Sequence, residues 1–203
     1  HRKHRSLIGD HYTPAFVGAL EDKIRETARQ ELLPYLSAGS LDVYALVSKI
    51  ALRTMADYIG LQLEEITRIR SLIDAYYRRE ARHQGTTARG FQALEDVSTY
   101  IRHLIRQYRA NPPAESSHIS SWLQCNVDNR AMSEDEIFFS IFAIVITGTD
   151  TLPLTTAATL YYLSLDSAGM DEVRANPDLI PKAFAEAARF DQPTNILGRV
   201  LTE

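Results

Sequence analysis

Cysteine, glycine and tryptophan are scarce in this sequence, and positive charge is not in excess. It has one Cys, nine Gly and one Trp in 203 residues, with 22 Lys and Arg against 26 Asp and Glu. The lone Cys125 excludes an intrachain disulfide and points to a reducing compartment, the cytoplasm. A net charge of -4 argues against a nucleic-acid-binding surface, whose footprint is usually a basic stripe. No uninterrupted apolar run reaches the roughly 20 residues that a bilayer span needs, so no membrane segment is expected. Few glycines and few runs of alternating polarity disfavour strands. What remains is a globular composition, 45% hydrophobic and 24% charged, long enough to bury a core. The chain opens at His1-Arg2-Lys3-His4-Arg5 without Met and stops at Glu203, and both ends read as cut from something longer.

A helical period runs through most of the chain. Thr13 as N-cap and Pro14 at the first helical position start one helix, with Phe16, Val17, Leu20, Ile24 and Ala28 on one face and an end between Pro34 and Gly39. Further helices are expected over Asp42 to Ile59, stopped by Gly60, over Leu63 to Arg82, and over Thr87 to Ala110, stopped by Asn111-Pro112-Pro113. A short helix over Ser116 to Asn126 holds Trp122. Ser133 and Glu136 form a capping box, and from Ile137 to Ile146 the chain is almost wholly apolar. That helix is expected to continue to Leu165 as a central buried rod, followed by helices over Ser167 to Ala175 and Leu179 to Phe190. The expected class is all-α.

Inside the rod lies Thr147-Gly148-Thr149-Asp150-Thr151. A buried unpaired carboxylate costs several kcal/mol, roughly, and Gly148 weakens a helix by about 1 kcal/mol relative to alanine. Pro153 lacks an N–H, and its ring collides with the Thr149 carbonyl of a regular helix. Local rules broken this close together mark a functional site, where an acid beside a hydroxyl suits delivery of protons to a bound ligand. The alternative is a kink whose freed carbonyls are satisfied by hydroxyls.

The same stretch resembles the oxygen-binding helix motif of cytochromes P-450, with Thr147 in place of the usual small first residue. Glu186-Ala187-Ala188-Arg189 is similar to that family's Glu-x-x-Arg, flanked by family-like Asn176-Pro177-Asp178-Leu179-Ile180 and Phe190-Asp191-Gln192-Pro193. His1-x-x-x-Arg5 with Tyr12-Thr13-Pro14, and Ala56-Asp57-Tyr58-Ile59-Gly60-Leu61, resemble further family segments in the same order.

The resemblance implies a bacterial, soluble cytochrome P-450-like helical core around one long central helix. It would be a single domain over residues 1–203, truncated at both ends and lacking most of the family's β-sheet. Asp150 and Thr151 would be the acid–alcohol pair beside the haem, and Gly148 would let oxygen approach the helix. His1, Arg5 and Arg199 would reach the propionates of haem b. Glu186 and Arg189 would form a structural ion pair. The family's cysteine ligand follows the Glu-x-x-Arg helix in a glycine-rich loop, which Cys125, ahead of the central helix, does not match. Cys125 is read as a packing residue or free thiol, and no metal ligand is assigned in this chain. His1 and His4, one turn apart, lack the further ligands of a metal site.

The function implied is monooxygenation of a small organic substrate, in secondary metabolism, with electrons from a ferredoxin or flavin-type partner. The alternative is a haem-free relative that helps another biosynthetic enzyme, such as a glycosyltransferase; a helical interaction domain is a third reading. The resemblance makes the helices expected over Leu63 to Arg82 and Thr87 to Ala110 a lid over the substrate pocket, and their arginines and tyrosines, Arg102 and Arg106 among them, are either a solvated face or a surface for a homodimer or partner enzyme.

Overall fold

The computed structural model describes residues 12–81, 85–113, 117–124, 126–127 and 130–194. Helices dominate them. Helix α1 (Pro14–Gly18) starts where Thr13 Oγ1 accepts the Phe16 N–H at 3.3 Å. The single helix expected onward to Pro34 is instead broken: α1 stops at Gly18, and α2 (Glu21–Leu32) begins anew. Glycine is a poor helix former, and Glu21 and Asp22 favour a fresh N-terminus, where acidic groups meet the positive end of the helix dipole. A 3-10 turn, Leu33–Tyr35, follows.

Helix α3 (Val43–Ile59) is capped by Asp42, whose Oδ1 accepts the Ala45 N–H at 2.9 Å. It ends, as expected, at Gly60 in the left-handed region, φ 88°. Helix α4 (Leu63–Tyr77) opens with a capping box of Gln62 and Glu65 that the sequence reading missed, and it stops short of Arg82. Helix α5 (Ala88–Ala110) is capped by Thr87. Helix α6 (His118–Gln124) carries the fully buried Trp122. A two-residue antiparallel ladder follows, β1 (Asn126–Val127) on β2 (Arg130–Ala131), a small departure from an all-helical chain.

The rod itself comprises α7 (Glu134–Ile146), a π-helical turn (Thr147–Thr151) and α8 (Leu152–Leu165). Helix α9 (Ser167–Ala175), the 3-10 turn Pro177–Leu179 and α10 (Ile180–Phe190) complete the described chain. The core lies where α4, α5, α6 and α7 meet. Ile66, Ile69 and Ile73 of α4, Val97, Ile101 and Ile105 of α5, and Ile137, Ile141 and Val145 of α7 are all at most 1% exposed. Their spacings of three and four put one apolar stripe on each helix. Each such side chain contributes about 1.5–3 kcal/mol relative to exposure.

Burial of the rod is unequal. Its first half buries Ile137, Phe138, Ser140, Ile141, Ile144 and Val145, whereas α8 buries only Pro153, Thr155 and Thr159 and leaves Leu160, Tyr161 and Leu165 exposed. By length and composition its 32 residues could cross a membrane, but α7 is spent on the core.

Candidate active site

The π turn falls on Thr147–Thr151, the five residues that the sequence marks as anomalous. Its wider spacing changes where the Thr149 carbonyl meets the Pro153 ring, so the expected collision is absorbed within the helix. Hydroxyls brace the turn. Thr147 Oγ1 donates to the Ala143 carbonyl at 2.8 Å, Thr149 to Val145 at 2.6 Å, Thr151 to Thr147 at 2.7 Å and Thr155 to Thr151 at 2.9 Å. The cluster is thus a hydroxyl-braced distortion of the helix, with Asp150 and Thr151 adjacent within it.

Asp150 is not a buried, unpaired acid. Its side chain is 45% exposed, and Oδ1 accepts from Arg70 Nη2 at 3.1 Å. Arg70, on α4, also donates from Nη1 to Thr149 Oγ1 at 3.0 Å, and its Nη2 lies 2.6 Å from Asp74 Oδ1 one turn along. Partial burial works against the Arg70 charge, but the hydrogen bonds and charges of Asp74 and Asp150 outweigh it and raise its pKa. Tyr77, at the end of α4, is raised chiefly by burial, then by Tyr76 and by Asp150. Nothing in the sequence pattern marks Arg70, which lies 80 residues from the acid it holds.

Gly148 faces α3. A Cβ built there would run into Met55, so the absent side chain is what lets the two helices approach. Beside this contact lies an apolar groove of about 280 Å³, lined by Tyr12, Leu20, Ile24, Tyr58 and Ile144 among others. Gly148, which the resemblance places where oxygen would approach, is in this structure a helix-packing residue.

A different face of the rod is open. Phe139, Ala143, Thr147 and Leu154 are exposed and Thr151 is partly so. Their spacings of four, four, four and three form one stripe along the rod, with Thr147 and Thr151 at its middle. Each hydroxyl spends its proton on a backbone carbonyl and keeps its lone pairs for another donor.

Glu186 and Arg189 form the expected pair on α10, with Arg189 Nε 2.8 Å from Oε2 and Nη2 2.6 Å from Oε1. The Arg189 hydrogen bond lowers the Glu186 pKa, and Glu186 raises that of Arg189. His1, His4, Arg5, Cys125 and Arg199 lie outside the described residues. Among the described residues no group of three or more His, Cys, Asp or Glu could hold a metal ion. Arg102 and Arg106 are used within the chain. Arg106 Nη2 is 3.0 Å and Arg102 Nη1 3.4 Å from Glu134 Oε1, Arg102 also meets Asp135 at 2.7 Å, and its guanidinium lies over the Phe138 ring. They tie α5 to the N-terminus of the rod.

No family model matches the chain. Pulcherriminic acid synthase of Bacillus subtilis is 26% identical over 203 residues, covering 98% of this chain and 48% of that protein. Cytochrome P450(MEG) of Priestia megaterium is 29% identical over 196 residues, covering 94% and 47%. Among solved structures, the Bacillus subtilis bacillaene polyketide synthase cytochrome P450 PksS matches with a TM-score of 0.81 at 21% identity, over 94% of this chain and 48% of that one. The chain thus spans about half the length of the relatives it matches. Ordered motifs, curated relatives and fold agree, and the chain is similar to cytochromes P-450 along nearly its whole length.

Proposed function

We propose that this chain is the central part of a cytochrome P-450-like domain and works in a haem-dependent monooxygenase. That enzyme oxidises a small organic substrate with dioxygen, in the cytoplasm, using electrons from a ferredoxin or flavin-type partner. The observation that carries this reading is the open stripe with Thr151 at its middle and Asp150 beside it.

The residues present fit a flat macrocycle. An edge-free apolar ring needs one open helix face without bulky polar groups, and the stripe of Phe139, Ala143, Thr147, Thr151 and Leu154 supplies it. His1, Arg5 and Arg199 would pair with its propionates through charge-assisted hydrogen bonds. Haem, when bound, supplies the activation of dioxygen.

The chain's own part is positioning and proton handling. Arg70 fixes Asp150 through Oδ1, which leaves Oδ2 to take a proton from water on the half-open side. Thr151, next along the helix, presents a hydroxyl oxygen toward the stripe. To pass a proton onward it turns its own away from the Thr147 carbonyl, exchanging one 2.7 Å hydrogen bond for another. Glu186 and Arg189 act structurally, bracing the end of α10.

Titration with haem of the apoprotein expressed from the full reading frame tests the fit. Wild type is expected to bind haem with a sharpened Soret band, and Ala143→Trp, which fills the stripe, to lose most of that binding while its far-ultraviolet circular dichroism is unchanged. Equal binding by both proteins would place haem elsewhere or nowhere.

A further inference from the structure

We propose that Met55 is a site of reversible sulfoxidation, and that its oxidation by hydrogen peroxide loosens the seam between α3 and the π turn of the central rod. Only the supply of peroxide rests on the monooxygenase reading above; the modification and its effect on the seam do not.

The sequence holds three methionines, and their settings differ. Met132 is 2% exposed and belongs to the core. Met170 is partly exposed on α9 and is not part of that core. Met55 combines the two: it packs against the core and also lines the groove of about 280 Å³ beside Gly148, which opens to solvent. Oxidant dissolved in water therefore reaches this side chain in the folded protein, whereas it reaches Met132 only when the core opens.

The sulfur sits where its oxidation has a consequence. A Cβ on Gly148 would fall on Met55 Sδ, and within 2.8 Å of Cγ and 3.4 Å of Cε, so the thioether lies directly against the backbone of the turn. Such a notch suits a flexible, apolar and polarizable side chain. A sulfoxide is polar and carries an extra oxygen, which needs a hydrogen-bond donor or contact with water. Thr147, on the same groove, already spends its proton on the Ala143 carbonyl at 2.8 Å. Leu20, Ile24 and Ile144, which also line it, have no side-chain donor. The oxidised side chain therefore turns out of the notch toward water, and α3 loses the contact that fills the space beside Gly148.

The chemistry balances with one oxidant. Dioxygen that gains two electrons and two protons at a monooxygenase site, without being spent on substrate, leaves as hydrogen peroxide. The Met55 sulfur attacks one peroxide oxygen. The S–O bond forms, the O–O bond breaks, sulfur is oxidised by two electrons, and the second oxygen leaves as water with both hydrogens. Methionine sulfoxide reductases reverse the change. Met55 thus records how oxygen is spent beside the turn on which it packs.

The test uses protein expressed from the full reading frame, with no haem added, as wild type, Met55→Leu and Met170→Leu. Each is treated with dilute hydrogen peroxide and read by peptide mass spectrometry, thermal unfolding and amide hydrogen exchange over residues 147–151. In the wild type, Met55 is expected to gain one oxygen while Met132 gains none. The unfolding midpoint then falls by a few degrees, exchange at the turn quickens several-fold, and methionine sulfoxide reductase restores both. Met55→Leu, a swap of similar volume, loses both responses, and Met170→Leu keeps them. Met55 left unmodified when Met170 is fully oxidised, its oxidation without faster exchange at the turn, or responses that survive in Met55→Leu overturn the proposal. The readout needs no haem, so failure of haem binding would remove the monooxygenase reading while leaving this result to stand or fall on its own.

Discussion

Met55 of α3 occupies the space that a side chain on Gly148 would need. The glycine of the π turn is therefore a helix-packing residue as well as part of a motif. Its weakening of the rod, about 1 kcal/mol relative to alanine in a regular helix, is offset by the approach of α3. Gly148→Ala is expected to lower stability by about 1–3 kcal/mol, the usual range for overpacking. Urea unfolding checks this. In a Met55→Ala background the same change should be neutral or stabilising. A loss of equal size in both backgrounds would mean that the clash lies elsewhere.

A second glycine is fixed for a different reason. Gly60 ends α3 at φ 88°, and a Cβ there would also strike the Ser117 side chain. Gly60→Ala combines left-handed backbone strain with a steric clash and should cost about 1–3 kcal/mol in thermal or urea unfolding. An alanine variant as stable as wild type would remove Gly60 from the account of how α3 turns into α4.

Glu134 joins α5 to the rod, and its contribution depends on pH. The Arg106 hydrogen bond, followed by that of Arg102, holds its carboxyl below the ordinary value of 4.5. A carboxyl lowered in the folded state stabilises in full above its unfolded value and loses that contribution as pH falls through the folded one. Stability of the wild type should therefore drop more steeply below pH 4.5 than that of Glu134→Gln. At neutral pH the variant should be weaker by on the order of 1 kcal/mol, since Arg106, its foremost partner, is 66% exposed and solvent screens the pair. Parallel acid profiles for the two proteins would show that the clamp contributes nothing.

Tyr58 gives the matching alkaline prediction. Burial first, then the neighbouring Tyr12, raises its phenol from 10.0 to about 12. A group raised in the folded state stabilises fully below its unfolded value and loses that contribution as pH rises through the folded one. The loss should thus develop between about pH 10 and 12, and Tyr58→Phe should flatten it. Phenolate absorbance during the titration reads the same transition. An unaltered alkaline profile in Tyr58→Phe would assign the loss to other groups.

Local chemistry made much of this fold legible in the sequence. The Ser133–Glu136 box, the Gly60 stop and the Glu186–Arg189 pair all join residues three or four apart, or depend on one residue's backbone freedom. The anomaly at Thr147–Thr151 was also readable, since Gly148 and Pro153 break helix rules wherever they stand. Its form as a π turn was not, because the stretch from Ile137 to Ile146 is apolar on nearly every face and offers little stripe whose phase an inserted residue could shift. Contacts distant in sequence were hidden too. Arg70 on Asp150, and Arg102 and Arg106 on Glu134, depend on which faces α4 and α5 turn toward the rod. The break after Gly18 was missed because the apolar spacing from Phe16 to Ile24 continues across it.

The central claim is that the open stripe around Thr151 faces a haem that activates oxygen. Absorbance of the reduced, carbon-monoxide-treated protein expressed from the full reading frame tests it most directly. The account predicts the red-shifted band of a thiolate-bound haem. A protein that purifies with stoichiometric haem but lacks that band, or that takes up no haem at all, contradicts it.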